Sequence, residues 1–163
     1  MDTVETPFEK VRRKMVAARV EFMSQLAKFS ADELTQPPAD GNEWTPLQIA
    51  NHLYIADGLA LEQIRLIQEE DDPMVAALDE ETPRLTREAE PPTSLDSVLG
   101  GMVARREEVF ELLSQLPEQA WERPFRHPDW GQLKFYQLVN VLPQHDKIHA
   151  QQLAAIKAAT KVE

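Results

Sequence analysis

Pro143-Gln144-His145-Asp146-Lys147-Ile148-His149-Ala150-Gln151-Gln152 places two histidines four residues apart in a segment that otherwise reads as helix. At that spacing both rings leave the same side of a helix, with Cβ atoms about 5–6 Å apart. Working outward, Leu138, Leu142, His145, His149, Gln152 and Ile156 advance in steps of 4, 3, 4, 3 and 4, which trace a single face. The two imidazoles therefore lie on the stripe that a helical protein buries, and a buried polar group needs a partner. A metal ion is one candidate, because an imidazole nitrogen binds zinc at about 2.0–2.1 Å and one ion can bridge two such rings. A satisfied core histidine is the plainer reading of either ring alone.

Three more amphipathic segments precede this one. The first helix is expected from Pro7 to Phe29, with Phe8, Val11, Met15, Ala18, Phe22, Leu26 and Phe29 on one face. Ser30–Leu34 adds a short turn, and Gln36-Pro37-Pro38-Ala39-Asp40-Gly41 breaks the helix. Thr45, Pro46 and Gln48 form an N-terminal signature for the second helix, a cap with a capping box. Its stripe is Ile49, His52, Ala56, Ala60, Ile64 and Ile67, so His52 also faces inward, and the helix is expected to end near Glu70. Ser94 is the expected cap of the third, whose buried face is Leu95, Leu99, Met102, Val109, Leu113 and Leu116. Arg106 falls within that series. It either reaches an anionic substrate or pairs with a carboxylate. The fourth helix is expected from Leu133 to Lys157, continuing through Pro143, which removes one backbone hydrogen bond and kinks the helix just before the histidines.

Two connections are unusual. Residues 71–93 are acidic and contain Pro73, Pro83, Pro91 and Pro92. They read as a long loop over one end, with a helical turn near Val75–Leu78, acting either as a lid or as a disordered link. Trp121–Gln132 is aromatic, proline-bearing and non-helical, and suits a tight turn or a tiny hairpin; its His127 reads as structural or surface. The expected architecture is an all-α, antiparallel four-helix bundle, a single domain spanning residues 1–163.

Composition narrows the function. The chain has 163 residues, a net charge of −11 and no cysteine. Acidity argues against nucleic acid, which selects basic surfaces. No apolar run approaches the ~20 residues that span a bilayer, and Met1–Lys14 lacks an apolar signal core, so the expectation is a cytoplasmic protein with no membrane partner. Without cysteine, a transition-metal site must use His, Asp, Glu and water, and a thiol nucleophile must come from a cosubstrate. Three inward imidazoles, His52, His145 and His149, match the ligand count of a catalytic zinc site. The same donors accept nickel, iron or copper. Asp57, Glu62, Asp146 and Gln152 are the candidates to hold the rings' second nitrogens. Asp57 sits about 140° around the helix from His52 and so fits poorly as a ligand. Gln152 shares the histidine stripe, and Asp146 reads as a ring partner or as solvent-facing.

The segments Glu43–Leu53 (with Trp44 and His52), Arg126-His127-Pro128-Asp129-Trp130-Gly131 and Gln144–Leu153 (with His145 and His149) resemble, in order and separation, the DinB/YfiT-like superfamily of proposed metalloenzymes. The resemblance spans nearly the whole chain. It implies an antiparallel four-helix bundle, a three-histidine site for nickel or zinc on His52, His145 and His149, and a homodimer. Some relatives are thiol-dependent S-transferases or isomerases using a low-molecular-weight thiol, and many have no assigned reaction. Three functions stay open: a metal-dependent transferase or hydrolase-like enzyme acting on a small molecule, a non-catalytic metal-binding or stress-response protein, and an interaction module with merely buried histidines.

Overall fold

The computed structural model describes residues 4–38 and 44–160. Ala39, Asp40 and Gly41 of the expected helix break, and Glu43, lie outside them. Four long helices form the bundle: α1 (Pro7–Leu26), α3 (Pro46–Glu69), α5 (Leu95–Ser114) and α6 (Phe135–Thr160). Two shorter ones, α2 (Ala31–Leu34) and α4 (Leu78–Glu88), lie in the connections. The starts follow local chemistry. At α3, Thr45 Oγ1 accepts from Gln48 N at 3.1 Å while Gln48 Oε1 accepts from Thr45 N at 2.9 Å, with Pro46 at the first position. Thr6 with Glu9 and Ser30 with Glu33 repeat this reciprocal cap, and Ser94 caps α5 through Ser97 N. Each such cap contributes about 1 kcal/mol. Helix α1 stops at Leu26, short of Phe29, which the following turn still buries.

The core fixes the helix directions. One cluster joins Val11 and Met15 of α1 to Ile64 and Ile67 of α3, Val109 and Leu113 of α5, and Leu138 and Leu142 of α6. The other joins Phe22 and Leu26 to Leu47 and Leu53, Val98 and Met102, and Leu153 and Ile156. Residue numbers rise together in α1 and α6, and together in α5 and α3, but in opposite senses between the two pairs. Two helices thus point each way, and each helix has a parallel companion.

That arrangement explains residues 70–94. A tight turn cannot join parallel α3 and α5, because the chain must first travel back along the bundle. It does so as α4, which runs against α3 in the opposite direction. Gln63 Nε2 of α3 donates to Ala76 O at 2.7 Å near its start, and His52 Nδ1 meets Thr86 Oγ1 at 3.0 Å near its end. The expected long acidic loop is therefore corrected: a helix over Leu78–Glu88 replaces the single turn near Val75–Leu78. Its buried face is Thr82 and Thr86, and it contains Pro83, so no apolar stripe marks it in the sequence.

The segment after α5 forms the hairpin that was one of its two readings. Strands β1 (Pro124–His127) and β2 (Gly131–Lys134) pair antiparallel, with His127 opposite Gly131. Gly131 takes φ +76°, a conformation that disfavours a Cβ and suits a three-residue hairpin loop. Because β2 extends to Lys134, α6 begins at Phe135 and not at Leu133. The hairpin also binds the crossover: Arg126 N donates to Pro73 O at 2.8 Å, and Val75 N to Arg126 O at 2.9 Å.

A charge from each long helix meets in the interior. Arg106 of α5 grips Asp57 of α3 in two-pronged fashion, Nε to Oδ2 and Nη2 to Oδ1, both at 3.1 Å, and also reaches Asp146 of α6 at 3.1 Å. Arg19 of α1 donates to Asp57 at 3.0 Å and to Asp146 at 3.1 Å. Two positive and two negative charges compensate one another. Arg106 thus takes the carboxylate-pairing role, and burial of Asp146 removes its solvent-facing reading.

Candidate metal centre

His52 comes from the apolar stripe of α3, flanked by Ile49 and Ala56, both buried. His145 and His149 come from consecutive turns of α6. Because α3 and α6 run in opposite directions side by side, the three rings meet. His145 Nε2 lies 3.1 Å from His52 Nε2 and 3.0 Å from His149 Nε2. The ring centroids are 5.0 Å apart for His52–His145, 4.6 Å for His52–His149 and 4.5 Å for His145–His149. All three histidines singled out in the sequence are thus brought together, and they can supply one ligand atom each to a common ion.

The far sides of two rings fix their tautomers. Thr86 Oγ1 gives its proton to Thr82 O at 2.7 Å, so toward His52 Nδ1 it can only accept. His52 therefore carries its proton on Nδ1 and presents a bare Nε2. Gln152 Oε1 lies 2.7 Å from His149 Nδ1 and accepts its proton, so His149 Nε2 is bare as well. Between them stands His145 Nε2, which has at most one proton to give and two lone pairs to meet. Protein atoms alone leave at least one lone pair facing another nitrogen without a hydrogen. A cation at the common point satisfies all three, and neutral imidazoles held from behind by a carbonyl or hydroxyl oxygen are the form that binds metals.

Electrostatics hold the rings neutral. Burial is the main cause in each case. It pushes His52 down to about 2, with help from the other two rings, and His145 down to about 4, with His149 adding to the effect. His149 is also lowered by burial, against the opposing pull of its bond to Gln152.

Of the four expected partners for the second nitrogens, Gln152 takes the role. Asp57 and Asp146 serve the ion-pair quartet, and Glu62 is exposed on α3. Thr86 is a partner to which the sequence does not point, because the helix that presents it buries threonines and contains Pro83. Trp44, part of the family-like segment, packs its ring 4.8 Å from that of His52.

Beside the triad opens a cavity of about 260 Å³ between α3, α4 and α6, with an almost wholly apolar wall. His127 also lines it. The residue is buried, which corrects the surface half of its expectation, while its structural half stands. Its Nδ1 accepts from Asp129 N at 3.1 Å and Trp130 N at 3.2 Å, and its ring stacks on Trp130 at 4.2 Å. Asp79 and Asp129 bring carboxylates near it, both from exposed positions.

The family model of the DinB superfamily matches residues 14–153. The uncharacterized protein YuaE of Bacillus subtilis (strain 168) is 26% identical over 152 residues, which cover 86% of this chain and 93% of that one. YfiT from Bacillus subtilis, called a probable metal-dependent hydrolase with an unusual four-helix bundle topology, superposes with a TM-score of 0.74 at 17% identity, covering 100% of this chain and 93% of YfiT. TT2238, a four-helix bundle protein, superposes with a TM-score of 0.64 at 20% identity, covering 91% and 98% respectively. At these identities the two structures speak for the fold.

Proposed function

Because this chain belongs to the DinB superfamily, we propose that it is a metal-dependent enzyme acting on a small molecule, its ion held by His52, His145 and His149. The observation that carries this reading is the convergence of three Nε2 atoms, two of them stripped of protons by Thr86 and Gln152. A divalent transition metal, nickel or zinc in first place and iron or copper from the same donors, would supply Lewis acidity and bring the pKa of water or a thiol toward neutrality.

The chain's own residues do the rest. Thr86 and Gln152 aim the lone pairs. Trp44, Ala56 and Leu142 keep bulk water from the face of the triad, which strengthens every electrostatic contact there. An apolar cavity with few polar groups is what a small organic substrate requires. By analogy with the name given to YfiT, hydrolysis is the first reaction class. Thiol-dependent S-transfer, with a low-molecular-weight thiol as cosubstrate, is the second. It is favoured by a cysteine-free chain whose cavity is apolar beside the triad. The proposal includes a cytoplasmic location and a homodimer, the latter open to light scattering. Among the described residues no helix is long and apolar enough to cross a membrane.

The test begins with protein purified without a histidine tag and assayed for metal by mass spectrometry. It continues with activated esters, and with a thiol plus an aryl halide electrophile, before and after chelation. Ester turnover abolished by chelation supports hydrolysis, and metal-dependent thiol loss supports transfer. Protein that neither retains nor takes up metal overturns the enzyme and the binding-protein readings together. Metal without turnover leaves the non-catalytic alternative.

A further inference from the structure

Helix α4 is held firmly at one end and loosely at the other. The residues just before it are tied down. Pro73, Val75 and Ala77 are buried. In the hairpin, Arg126 N donates to Pro73 O and Arg126 O accepts from Val75 N, while Gln63 Nε2 of α3 donates to Ala76 O at 2.7 Å. Beyond α4 the chain has no such anchor: no residue from 87 to 97 is buried.

Within α4 the hold is weak and polar. Its buried residues are Thr82 and Thr86, and its two leucines, Leu78 and Leu85, are only partly buried. Arg84 spends its ion pairs on Glu81 and Glu88 of the same helix. Among the described residues, the side-chain hydrogen bond that ties α4 to a long helix is that between Thr86 Oγ1 and His52 Nδ1, at 3.0 Å. Thr82 Oγ1 is buried and has no hydrogen-bond partner among the described residues, a cost of docking that opening into water removes. The helix has 11 residues and contains Pro83, which lacks an N–H for the ladder. Isolated helices shorter than about 12–15 residues are marginal in water, so the helicity of α4 depends on its docking. A segment with so little apolar burial belongs to the part of a fold that opens locally.

What α4 covers is the cavity beside the triad, to whose wall it contributes Leu78, Asp79, Thr82 and Pro83. The bond that holds its loose end is made by one of the three imidazoles. A cation on His52 Nε2 draws electron density from the ring and makes Nδ1–H a stronger donor, since charge-assisted hydrogen bonds are roughly twice as strong as neutral ones. The oxygen that receives this proton belongs to Thr86. Occupancy of the triad and closure of α4 are thereby linked, and each favours the other by the same factor.

We propose that α4 is a hinged lid over this cavity, anchored at residues 73–77 and latched at Thr86 by His52, and that an ion bound by the triad closes it. This deepens the enzyme reading above and rests on His52 being a ligand. Opening moves the Thr86 end away from α3 and uncovers His52, so ion and small substrate enter from the α4 side. Closure then shuts out bulk water and fixes the His52 tautomer in the same movement.

Hydrogen exchange of the full chain, read by mass spectrometry with and without zinc, tests it. In metal-free protein the amides of α4 should exchange at least about tenfold faster than those of α3 around Ile64. Zinc, at a concentration shown by chelator competition to saturate each protein, should slow α4 about fivefold or more. Thr86→Val should abolish that slowing and Thr86→Ser should retain it. Exchange of α4 as slow as that of α3 in metal-free protein overturns the lid. An α4 rate unchanged in zinc-saturated wild type, or slowed equally in the valine and serine variants, overturns its coupling to the ion. Wild type that takes up no zinc refutes the metal reading instead, and the ion's part in closure with it. The latch is then decided in metal-free protein, where Thr86→Val should speed α4 exchange about fivefold, with α3 unchanged and Thr86→Ser near wild type. Equal α4 rates in wild type and Thr86→Val overturn the latch.

Discussion

Thr86→Val should weaken metal binding although Thr86 touches no metal. The change is nearly isosteric, so packing of α4 on α3 is kept. What disappears is the oxygen 3.0 Å from His52 Nδ1. The bond from Thr86 Oγ1 to Thr82 O is also lost, at little cost, because that carbonyl lies within the hydrogen-bonded ladder of α4. His52 is left with a buried N–H facing a methyl group, a penalty of about 1–3 kcal/mol. The ring can escape it by moving its proton to Nε2, which destroys the ligand, or by tilting. Either way the loss reaches the ion, and loss of a group that orients a ligating histidine lowers metal affinity about 10–100-fold. That is about 1.4–2.7 kcal/mol, the same scale as the penalty derived from the hydrogen bond. The assay is zinc competition against a chromophoric chelator for wild type, Thr86→Val and Thr86→Ser. The serine variant keeps the oxygen and should recover most of the affinity. Wild-type affinity in Thr86→Val, or equal losses in valine and serine variants, would refute the tautomer argument.

Three further outcomes are expected. His149→Ala should lose most of its bound metal while helical circular dichroism stays near wild type; unchanged metal content removes His149 from the site. Arg106→Leu leaves Asp57 and Asp146 with Arg19 alone, an excess of one buried negative charge, and urea unfolding should show a loss of about 3–5 kcal/mol. A loss under about 1 kcal/mol would mean that water reaches the quartet. Metal-free protein should weaken on acidification. The unfolded rings titrate near 6.5 while burial holds His145 at about 4 in the folded state, so between those values the unfolded chain binds more protons. Stability is then full above pH 6.5 and falls below it, by about 3 kcal/mol from His145 alone by pH 4. Metal occupancy should decline over the same range, since protons and ion compete for the same lone pairs. Stability that is flat from pH 7 to 4.5 would show that the rings are not held neutral by burial.

The parts legible in the sequence are those where one helix carries its own evidence. The Thr45-Pro46-Gln48 start and the inward stripes of α1, α3 and α6 needed only local chemistry and period, and they placed His52, His145 and His149 on buried faces. What could not be read depends on relations between segments. Helix α4 buries threonines, so its inward face looks like an outward one, and Pro83 reads as a breaker. Thr86 became visible only with α4. Asp57 and Asp146 appeared as unattached carboxylates near the histidines. Their true partners, Arg19 and Arg106, come from helices whose directions no periodicity reveals.

Those directions are what make the centre. An up-and-down bundle with short loops would have placed α3 and α5 in opposite senses, and the chain would have had no reason to return along α3. Because they run parallel, a returning segment is obligatory, and it lies where it can contact both the N-terminal half of α3, at His52, and the C-terminal half, at Gln63. The wall of the cavity beside the triad is thus a consequence of connectivity. The charge quartet fixes the remaining freedom, sliding along the axis. A slip of α6 by one turn, about 5.4 Å, would pull Asp146 from both arginines. It would also separate His145 from His52, since His145 adjoins Asp146 and His52 lies five residues from Asp57. The bundle's register and the meeting of the three imidazoles are therefore set by the same four charges. Arg106→Leu should consequently cost metal affinity as well as stability, although the hydrogen bonds of Arg106 go to Asp57 and Asp146 and not to the imidazoles. Zinc competition on that variant, run under conditions where circular dichroism shows it folded, decides the matter: wild-type affinity would mean that apolar packing alone holds the register.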